Sequence, residues 1–398
     1  MALPRFLHSK IVAPDVLRLL WLWTIIGLGG FARVFYELYR PLADGHDPKG
    51  HVIGRDFLNV WMGAKLAIEG KLPSLYVVSD YMAEVRKVFG EHYTQHNFSY
   101  PPHLLALILV FGVVPYFPAL ALWTLTGLTA IGLALRKAAK QSWAVVALVV
   151  LSPASVANMV SGQNGAFTAA CFLGGLYLCE ASPIPAGILF GLLTVKPHLG
   201  ILIPFVLLLR RDWKCIASAG VTTGVLGGLS LVLWGVSPWQ DYIKYVIPYQ
   251  TTLMKGGEEF YHRMTPGPFF DFVGILPDQA MMIHVVIALI AAAVALFSVR
   301  KDGITPRTIA IVALSTTIIL PYGFNYDMIA LSGALAVYLA TLPESFALIH
   351  LVYGFLWALP LGIYEIKRLP DAPICTAILL LSLTCLHFSR AAGKSETR

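Results

Sequence analysis

Long apolar runs recur along almost the whole chain and constrain its fold more than any other feature. They are about 17 to 25 residues long, the length that a helix needs to cross a bilayer. Charged residues make up 13% of the chain, about half the usual share in a soluble domain. Continuous apolar runs suit helices, because the strands of membrane barrels alternate. The sequence predicts an all-α polytopic membrane protein, with residues 1–398 forming one integral membrane domain.

The limits of these runs predict a bundle of about twelve transmembrane helices. The predicted spans are 17–36, 103–114, 119–135, 143–159, 166–179, 184–209, 215–234, 280–299, one ending at 320, 328–342, 346–364 and 374–388. Two long polar segments separate them, residues 37–101 (the first polar loop) and 235–279 (the second polar loop). Both loops are predicted to lie outside the membrane.

Basic residues cluster between the runs, as expected for loops on the cytoplasmic side. This pattern accounts for the net charge of +7 without a nucleic-acid partner. The clusters that place both termini in the cytoplasm are Arg5, Lys10 and Arg18 at the start and Arg390, Lys394 and Arg398 at the end. We expect a multi-pass protein of the cell inner (plasma) membrane.

One basic cluster disagrees with this orientation. Arg136, Lys137 and Lys140 would lie outside if all twelve spans cross. Either the rule fails once, or residues 103–114 do not cross and the run 184–209 divides into two spans.

Asp56 stands at the head of a predicted amphipathic helix in the first polar loop. Apolar residues recur at helical spacing from Phe57 to Ile68, and Gly70 can end the helix. A second short helix is predicted over Asp80–Phe89, with Ser79 as its cap, and both could lie on the membrane surface. Asp56 has two readings, a general base that takes a proton from an acceptor hydroxyl or a plain helix N-cap.

Lys196-Pro197-His198 interrupts the apolar run 184–209. Ionisable residues inside spans are costly and are candidates for function. A lysine here could hold an anionic phosphate, and His198 could assist it. The alternative is a lysine whose long side chain reaches the membrane boundary.

Three further groups of polar residues have both a functional and a structural reading. Gln163 and Asn164 could bind sugar hydroxyls or a phosphate, or form an ordinary polar turn between two spans. Asp327, with Asn325 and Tyr326, could orient substrate or simply mark a membrane interface. The other candidates are Tyr100 and His103, which could face a cavity, and Arg263, which could bind a lipid phosphate or be a solvated loop charge.

Several common catalytic patterns are absent from the sequence. It has no phosphate-binding P-loop, no dinucleotide-binding glycine motif and no GxSxG. His92 and His96 have helical spacing but no third ligand nearby, so the sequence predicts neither a metal nor a cofactor.

The order of these motifs resembles glycosyltransferase family 87 (GT87), a family of polytopic membrane enzymes. The motifs are Gly54-Arg55-Asp56-Phe57, Tyr100-Pro101-Pro102, Gly162-Gln163-Asn164-Gly165, Lys196-Pro197-His198 and Asn325-Tyr326-Asp327. The family includes mannosyltransferases that use polyprenyl-phosphate mannose. The resemblance implies a GT-C-like fold with its active site at the outer membrane face. Family members often carry a histidine just ahead of the late Tyr-Asp, where this chain has Phe324 and Asn325.

The resemblance implies a membrane glycosyltransferase with Asp56 as its base. The donor would be a hexose, such as mannose, on a polyprenyl phosphate. The acceptor would be a lipid or a glycan, and the protein would also contact membrane lipids. The implied substrate-binding residues are Arg55, Tyr100, His103, Gln163, Asn164, Lys196, His198, Arg263, Tyr326 and Asp327. Two alternatives stay open, a secondary transporter and a non-catalytic lipid-handling subunit.

Overall fold

A computed structural model describes residues 14–91, 93, 96–254, 277–320, 323–342, 349–366 and 373–388. In these residues every regular element is helical, and the only strand-like pairing is an isolated bridge between His46 and Val52. The α-helices are α1 Pro14–Leu38, α2 Phe57–Ile68, α3 Val78–Phe89, α4 Leu104–Gly112, α5 Tyr116–Leu133, α6 Trp143–Val150, α7 Pro153–Ser161, α8 Gly165–Leu178, α9 Pro183–Leu193, α10 Ile203–Arg210, α11 Trp213–Trp234, α12 Ser237–Asp241, α13 Ile247–Met254, α14 Pro277–Asp302, α15 Pro306–Ile319, α16 Ile329–Leu339, α17 Ile349–Ile366 and α18 Pro373–Phe388. The all-α prediction is confirmed.

Four helices in the described residues are long and apolar enough to cross a membrane. Their apolar segments are Arg18–Leu38, Tyr116–Ala138, Trp213–Trp234 and Met281–Asp302. Helices α6 and α7, bent by 48° at their junction, would together form a fifth span. These segments are those of a polytopic membrane protein.

The region predicted as the second span contains only a short helix. Helix α4 has nine residues, so its axis is about 13.5 Å long, against a hydrocarbon core of about 30 Å. It packs closely on α2, since a Cβ added at Gly112 would lie 2.8 Å from the backbone carbon of Ala64. Helix α4 is therefore too short to span a bilayer by itself, and the crossing at residues 103–114 stays a prediction.

The predicted span 184–209 is divided into α9 and α10 by a short 3₁₀ turn, Pro197–Gly200. Proline has no backbone N–H to donate, so a break in the helix at Pro197 is expected. Lys196 stands at this break with non-helical backbone angles, φ −136° and ψ 69°. Lys196 therefore lies between the two helices and belongs to neither.

Helix α2 is buried in protein instead of lying on the membrane surface, which corrects that prediction. Nine of its twelve residues are buried. The Phe57 ring packs against those of Trp123 and Tyr116, with centroids 5.9 Å and 5.4 Å away. The first polar loop therefore shares an apolar core with α4 and α5. Helix α3 begins after Val77, so the predicted cap at Ser79 was also wrong.

The start of the second polar loop folds back on the first. The Gln250 amide donates to the Ser99 carbonyl oxygen over 3.3 Å. The Tyr242 and Tyr76 rings pack edge to face, with centroids 5.9 Å apart. The start of the second polar loop therefore lies on the same side of the helices as the first polar loop. Arg263, predicted to bind phosphate, lies outside the described residues.

Candidate functional site

Three motifs that are far apart in the sequence meet at one place through two glycines. Gly162 has φ +66°, and a Cβ there would lie 2.2 Å from the carbonyl oxygen of Gly54. A Cβ added at Gly165 would lie 2.1 Å from the carbonyl oxygen of Tyr326. Both distances are far inside van der Waals contact, so only glycine permits these approaches. The segment Gly162–Gly165 is thus held between Asp56 on one side and the turn before α16 on the other.

The Asp56 side chain does not cap α2. Its backbone is helical, with φ −78° and ψ −18°, and its carboxylate accepts no capping hydrogen bond. The Asp56 backbone N–H instead donates to the Ser161 carbonyl oxygen over 2.9 Å. The carboxylate Oδ2 accepts a hydrogen bond from Gln163 Nε2, also at 2.9 Å. The plain N-cap reading of Asp56 is therefore wrong.

The Gln163 amide is fixed at both ends. The Tyr100 hydroxyl donates to its Oε1 over 3.2 Å, so the NH₂ end faces Asp56. The Trp123 indole N–H donates to the Gln163 backbone carbonyl over 3.3 Å. Asp56 Oδ1 makes no hydrogen bond to any residue in the described part of the chain. This oxygen is left available to accept a proton.

Lys196 forms a buried ion pair with Asp327. The Nζ to Oδ1 distance is 2.6 Å, and the two side chains are 10% and 5% exposed. The ammonium also lies 5.2 Å from the centre of the Tyr326 ring. Asp327 Oδ2 is buried and has no hydrogen-bond partner among the described residues. The Lys196 side chain therefore points to Asp327 and does not reach out to the membrane boundary.

Electrostatic interactions connect the two carboxylates through Tyr100. Burial raises the pKa of the Tyr100 phenol, and the Asp56 and Asp327 charges both add to the rise. Both carboxylates are therefore close enough to act on one hydroxyl. Burial lowers the pKa of His198, and the Lys196 charge lowers it further, so this imidazole is neutral near pH 7.

Arg55 is adjacent to Asp56 in sequence but turns away from it. Its Nε donates to Asp47 Oδ2 over 2.7 Å, and its Nη2 donates to the Leu38 carbonyl over 2.5 Å. Burial raises the pKa of Asp47, but hydrogen bonds from His51 and the Arg55 charge outweigh it and bring the pKa to about 2. The positive charge of Arg55 is therefore balanced by Asp47.

His103 lies apart from this group. Its ring stacks on Trp239, with centroids 5.7 Å apart, and its Nε2 lies 3.3 Å from the Thr194 hydroxyl. No contact joins His103 to Asp56 or Lys196 within the described residues.

Asn158 and Asp47 gave no sequence signal, and they help other residues to hold the site together. Asn158 Oδ1 accepts from the Gly165 backbone N–H over 2.7 Å, and Asn325 Nδ2 donates to the Pro360 carbonyl over 2.8 Å. Asn158 lies within an apolar run, and Asp47 stands in an ordinary Asp-Pro-Lys-Gly turn. Asn164 is 2% exposed, and neither polar atom of its amide has a partner among the described residues.

Two pockets flank the site. A narrow one lies beside Asp327 and includes the hydroxyl-bearing residues Thr168, Thr316 and Thr317. The other, named here the Arg55 pocket, is a cavity of about 210 Å³ between the end of α1, the turn before α2 and the end of α7. Its lining includes Phe35, Tyr39, Arg55, Met159 and Val160. Asp56 is half-buried and lines neither pocket.

Comparison with known proteins identifies one matching family. The model of glycosyltransferase family 87 matches residues 98–321, more than half of the chain. No curated protein and no solved structure matches. The matched region contains Tyr100, Gln163 and Lys196, whereas Asp56 and Asp327 lie outside it. The match favours the enzyme reading over a transporter or a non-catalytic subunit.

Proposed function

The chain belongs to glycosyltransferase family 87, and from that premise we propose that it transfers a hexose such as mannose from a polyprenyl phosphate. The acceptor is a hydroxyl of a lipid or glycan at the outer face of the membrane. The observation that carries this proposal is the Asp56 carboxylate, which caps no helix and is oriented by Gln163 in the same site as the buried Lys196–Asp327 pair. The lipid tail of such a donor stays in the bilayer, so the reaction takes place at the membrane boundary.

Asp56 is the general base in this proposal. Its Oδ1 takes the proton of the acceptor hydroxyl while the acceptor oxygen bonds to the anomeric carbon. The bond from that carbon to the phosphate oxygen breaks, and its electron pair leaves with the polyprenyl phosphate. Attack opposite the leaving group inverts the anomeric configuration. General base catalysis typically contributes about 10²- to 10⁴-fold in rate.

Gln163 is the positioning residue for this base. A hydrogen bond from a neutral amide fixes one carboxylate oxygen without cancelling the negative charge. Arg55 would cancel that charge if it paired with Asp56, but it is bound to Asp47 instead. These contacts support Asp56 as a charged and oriented base.

Lys196 stabilises the departing phosphate in this proposal. Charge-assisted contacts to a phosphate are among the strongest hydrogen bonds in proteins. Asp327 holds the ammonium in place before the donor binds, and the phosphate then takes over part of that contact. His198, which is neutral near pH 7, can add a hydrogen bond but no charge.

We further propose a GT-C-like arrangement of twelve passes with both termini in the cytoplasm, in which α4 does not cross. The passes are α1, α5, α6 with α7, α8, α9, α10, α11 and α14 to α18. Helix α10 is as short as α4, but it leads from the turn at Lys196 to the basic residues Arg210 and Arg211, which favour the cytoplasmic side. Helix α5 then leads from Trp123, which contacts Gln163, to Arg136, about 20 Å further along the axis. This order puts the cluster around Arg136 on the cytoplasmic side with the other basic loops.

Labelling of introduced cysteines tests this topology. Lys140→Cys should react with an impermeant maleimide only after the membrane is opened, and Lys71→Cys should react in intact cells. Both positions are in polar segments, so the substitutions leave the apolar helices unchanged. Labelling of Lys140→Cys in intact cells would contradict the proposed order of passes.

Replacement of Asp56 tests the function. Asp56→Asn keeps the shape but not the charge of the side chain, so kcat for transfer from polyprenyl-phosphate mannose should fall about 10²- to 10⁴-fold. Asp80→Asn is the matched control, because Asp80 lies in the same loop and is exposed. Transfer at the wild-type rate by a folded Asp56→Asn enzyme would remove Asp56 as the base.

A further inference from the structure

We propose that the narrow pocket beside Asp327, named here the Asp327 pocket, binds two internal water molecules that stabilise this carboxylate during donor binding. The binding of water follows from the pocket itself, whereas its role in donor binding rests on the proposed glycosyl transfer. The pocket has a volume of about 30 Å³. An internal water needs about 10 to 15 Å³, so the space fits two waters and is too small for a sugar ring.

The walls of the Asp327 pocket come from the segments that form the candidate site. Thr168 lies one turn after Gly165, the glycine that packs against the turn before α16. Leu199 belongs to the 3₁₀ turn after Lys196, and its backbone N–H donates to the Lys196 carbonyl over 3.0 Å. Helix α15 supplies a further wall. A molecule in this pocket is therefore packed against the same segments that hold the ion pair.

Asp327 Oδ2 is the atom in this pocket that requires a donor. The Asp327 side chain lines the pocket and is 5% exposed. Its Oδ1 accepts from Lys196 Nζ over 2.6 Å, whereas Oδ2 is buried and has no hydrogen-bond partner among the described residues. A buried carboxylate oxygen without a donor is costly, so a donor from solvent is expected at this position.

The other polar side chains that line the pocket can only accept hydrogen bonds. Thr168 Oγ1 donates to the Gly165 carbonyl over 3.1 Å, and Thr316 Oγ1 donates to the Val312 carbonyl over 2.8 Å. Thr317 Oγ1 donates in the same way to the carbonyl four residues earlier, over 3.1 Å. Each hydroxyl has one hydrogen, so the three threonines offer a ligand lone pairs alone. A molecule that donates in two directions, as water does, satisfies this lining.

The charge balance of the pocket favours water over a cation. Lys196 already neutralises Asp327 in their buried pair. A cation in the pocket would add a second buried positive charge beside a pair that is already neutral, which is unfavourable. A water molecule adds no charge, and it can donate one hydrogen to Oδ2 and the other to a threonine oxygen.

The waters affect the proposed reaction because Asp327 and the donor phosphate compete for Lys196. When the phosphate takes over part of the ammonium, the buried Asp327 charge loses part of its compensation. Hydrogen bonds from the waters to Oδ2 then stabilise the charged carboxylate, so Lys196 turns to the phosphate more readily. Thr316, which is 5% exposed and can fix one of the waters, is thus a positioning residue for donor binding.

A structure of the full chain at a resolution that shows ordered water tests the binding. The wild type should show density for two waters in the pocket, one of them about 2.8 Å from Asp327 Oδ2. Ala313→Val adds two methyl groups to the lining and should displace at least one water, and Ala330→Val serves if that variant does not fold. A wild-type map without density at Oδ2, or density that pocket filling leaves unchanged, would overturn the proposal.

Kinetics test the role of Thr316. With polyprenyl-phosphate mannose as donor and dodecyl mannoside as acceptor, Thr316→Val should raise the donor KM about fivefold, the effect of one hydrogen bond, and leave kcat nearly unchanged. Thr316→Ser keeps the hydroxyl and should restore the donor KM. Thr223→Val is the matched control, because Thr223 is half-buried, donates to the Ala219 carbonyl over 2.9 Å and lies outside the lining. An unchanged donor KM in Thr316→Val, or no recovery with serine, would remove Thr316 as a positioning residue.

Two further outcomes separate this inference from its alternatives. If the donor KM of the wild type changed when sodium replaced N-methylglucamine at constant ionic strength, the pocket would be a cation site and the proposal would be wrong. If the wild type transferred no sugar, the proposed function would fail together with the role of Thr316. The density at Asp327 Oδ2 would then still decide whether the pocket binds water.

Discussion

Asp56 and Asp327 are two carboxylates of one site that have opposite surroundings. Asp56 is half-buried, accepts a hydrogen bond from the neutral amide of Gln163 and makes no ion pair in the described residues. Asp327 is nearly fully buried and pairs with Lys196 at 2.6 Å. An acid that is already paired with a cation is a poor proton acceptor, whereas an acid held by a neutral donor keeps its charge available. The comparison explains why we assign the base to Asp56 and a positioning role to Asp327.

The first prediction concerns the ion pair and has the largest expected effect. Lys196→Met should lower kcat/KM about 10²-fold or more, because the departing phosphate loses its cation. It should also destabilise the protein by about 3 to 5 kcal/mol, because Asp327 is left buried and unpaired. Thermal unfolding and transfer assays measure both effects.

A double variant separates these two consequences. Lys196→Met with Asp327→Leu removes both charges and should recover thermal stability but not transfer. Lys65→Met is the control, because it removes a half-exposed pair with Glu69 and should change neither property much. If the double variant recovered transfer together with stability, Lys196 would have only a structural role.

The second prediction concerns the neutral amide. Gln163→Leu should lower kcat about tenfold and leave the donor KM nearly unchanged, because Asp56 loses the hydrogen bond that orients it. Gln141→Leu is the control, since the Gln141 amide only bonds the Ala139 carbonyl. A larger change in KM than in kcat would make Gln163 a substrate-binding residue, as the sequence first suggested.

The third prediction concerns Asp47 and has the smallest expected effect at neutral pH. Its pKa is lowered from 3.8 to about 2, so its charge stabilises the fold above about pH 4. That contribution is lost as the pH falls from about 4 to about 2. The difference in Tm between the wild type and Asp47→Asn should therefore be constant from pH 8 to 5 and vanish near pH 2.

Asp44→Asn provides the control for that experiment, because the Asp44 side chain is 67% exposed. It should leave Tm almost unchanged at every pH. A Tm difference for Asp47→Asn that persists at pH 2 would show that the Arg55–Asp47 charge pair is not its source.

Much of the architecture follows from the sequence, because an apolar run of sufficient length has few alternatives to a membrane helix. The runs behind α1, α5, α11 and α14 correspond to the four long apolar helices. The crossing at residues 103–114 stays a prediction, because an apolar run of that length suits a buried helix as well as a membrane span. Burial of α2 was missed for a related reason, since an apolar face does not say whether protein or lipid covers it.

The candidate site was only partly predictable. Asp56, Gln163, Lys196 and Asp327 could be singled out because polar residues are rare and costly in such a chain. Their partners could not, because Gln163 and Asp56 are more than a hundred positions apart and no periodicity links them. Asp47 and Asn158 also look ordinary in sequence, and only their contacts with Arg55 and Gly165 give them a role.

The sequence by itself determined that the chain is helical, lies in a membrane and carries a few polar motifs between apolar runs. The physical reason is local, since hydrophobic length and backbone hydrogen bonding act within single segments. Only the tertiary structure decided which acid is paired, which is oriented by a neutral amide and where Arg55 points. Those properties depend on close approaches such as Gly162 to Gly54 and Gly165 to Tyr326, which exist only after distant segments have packed.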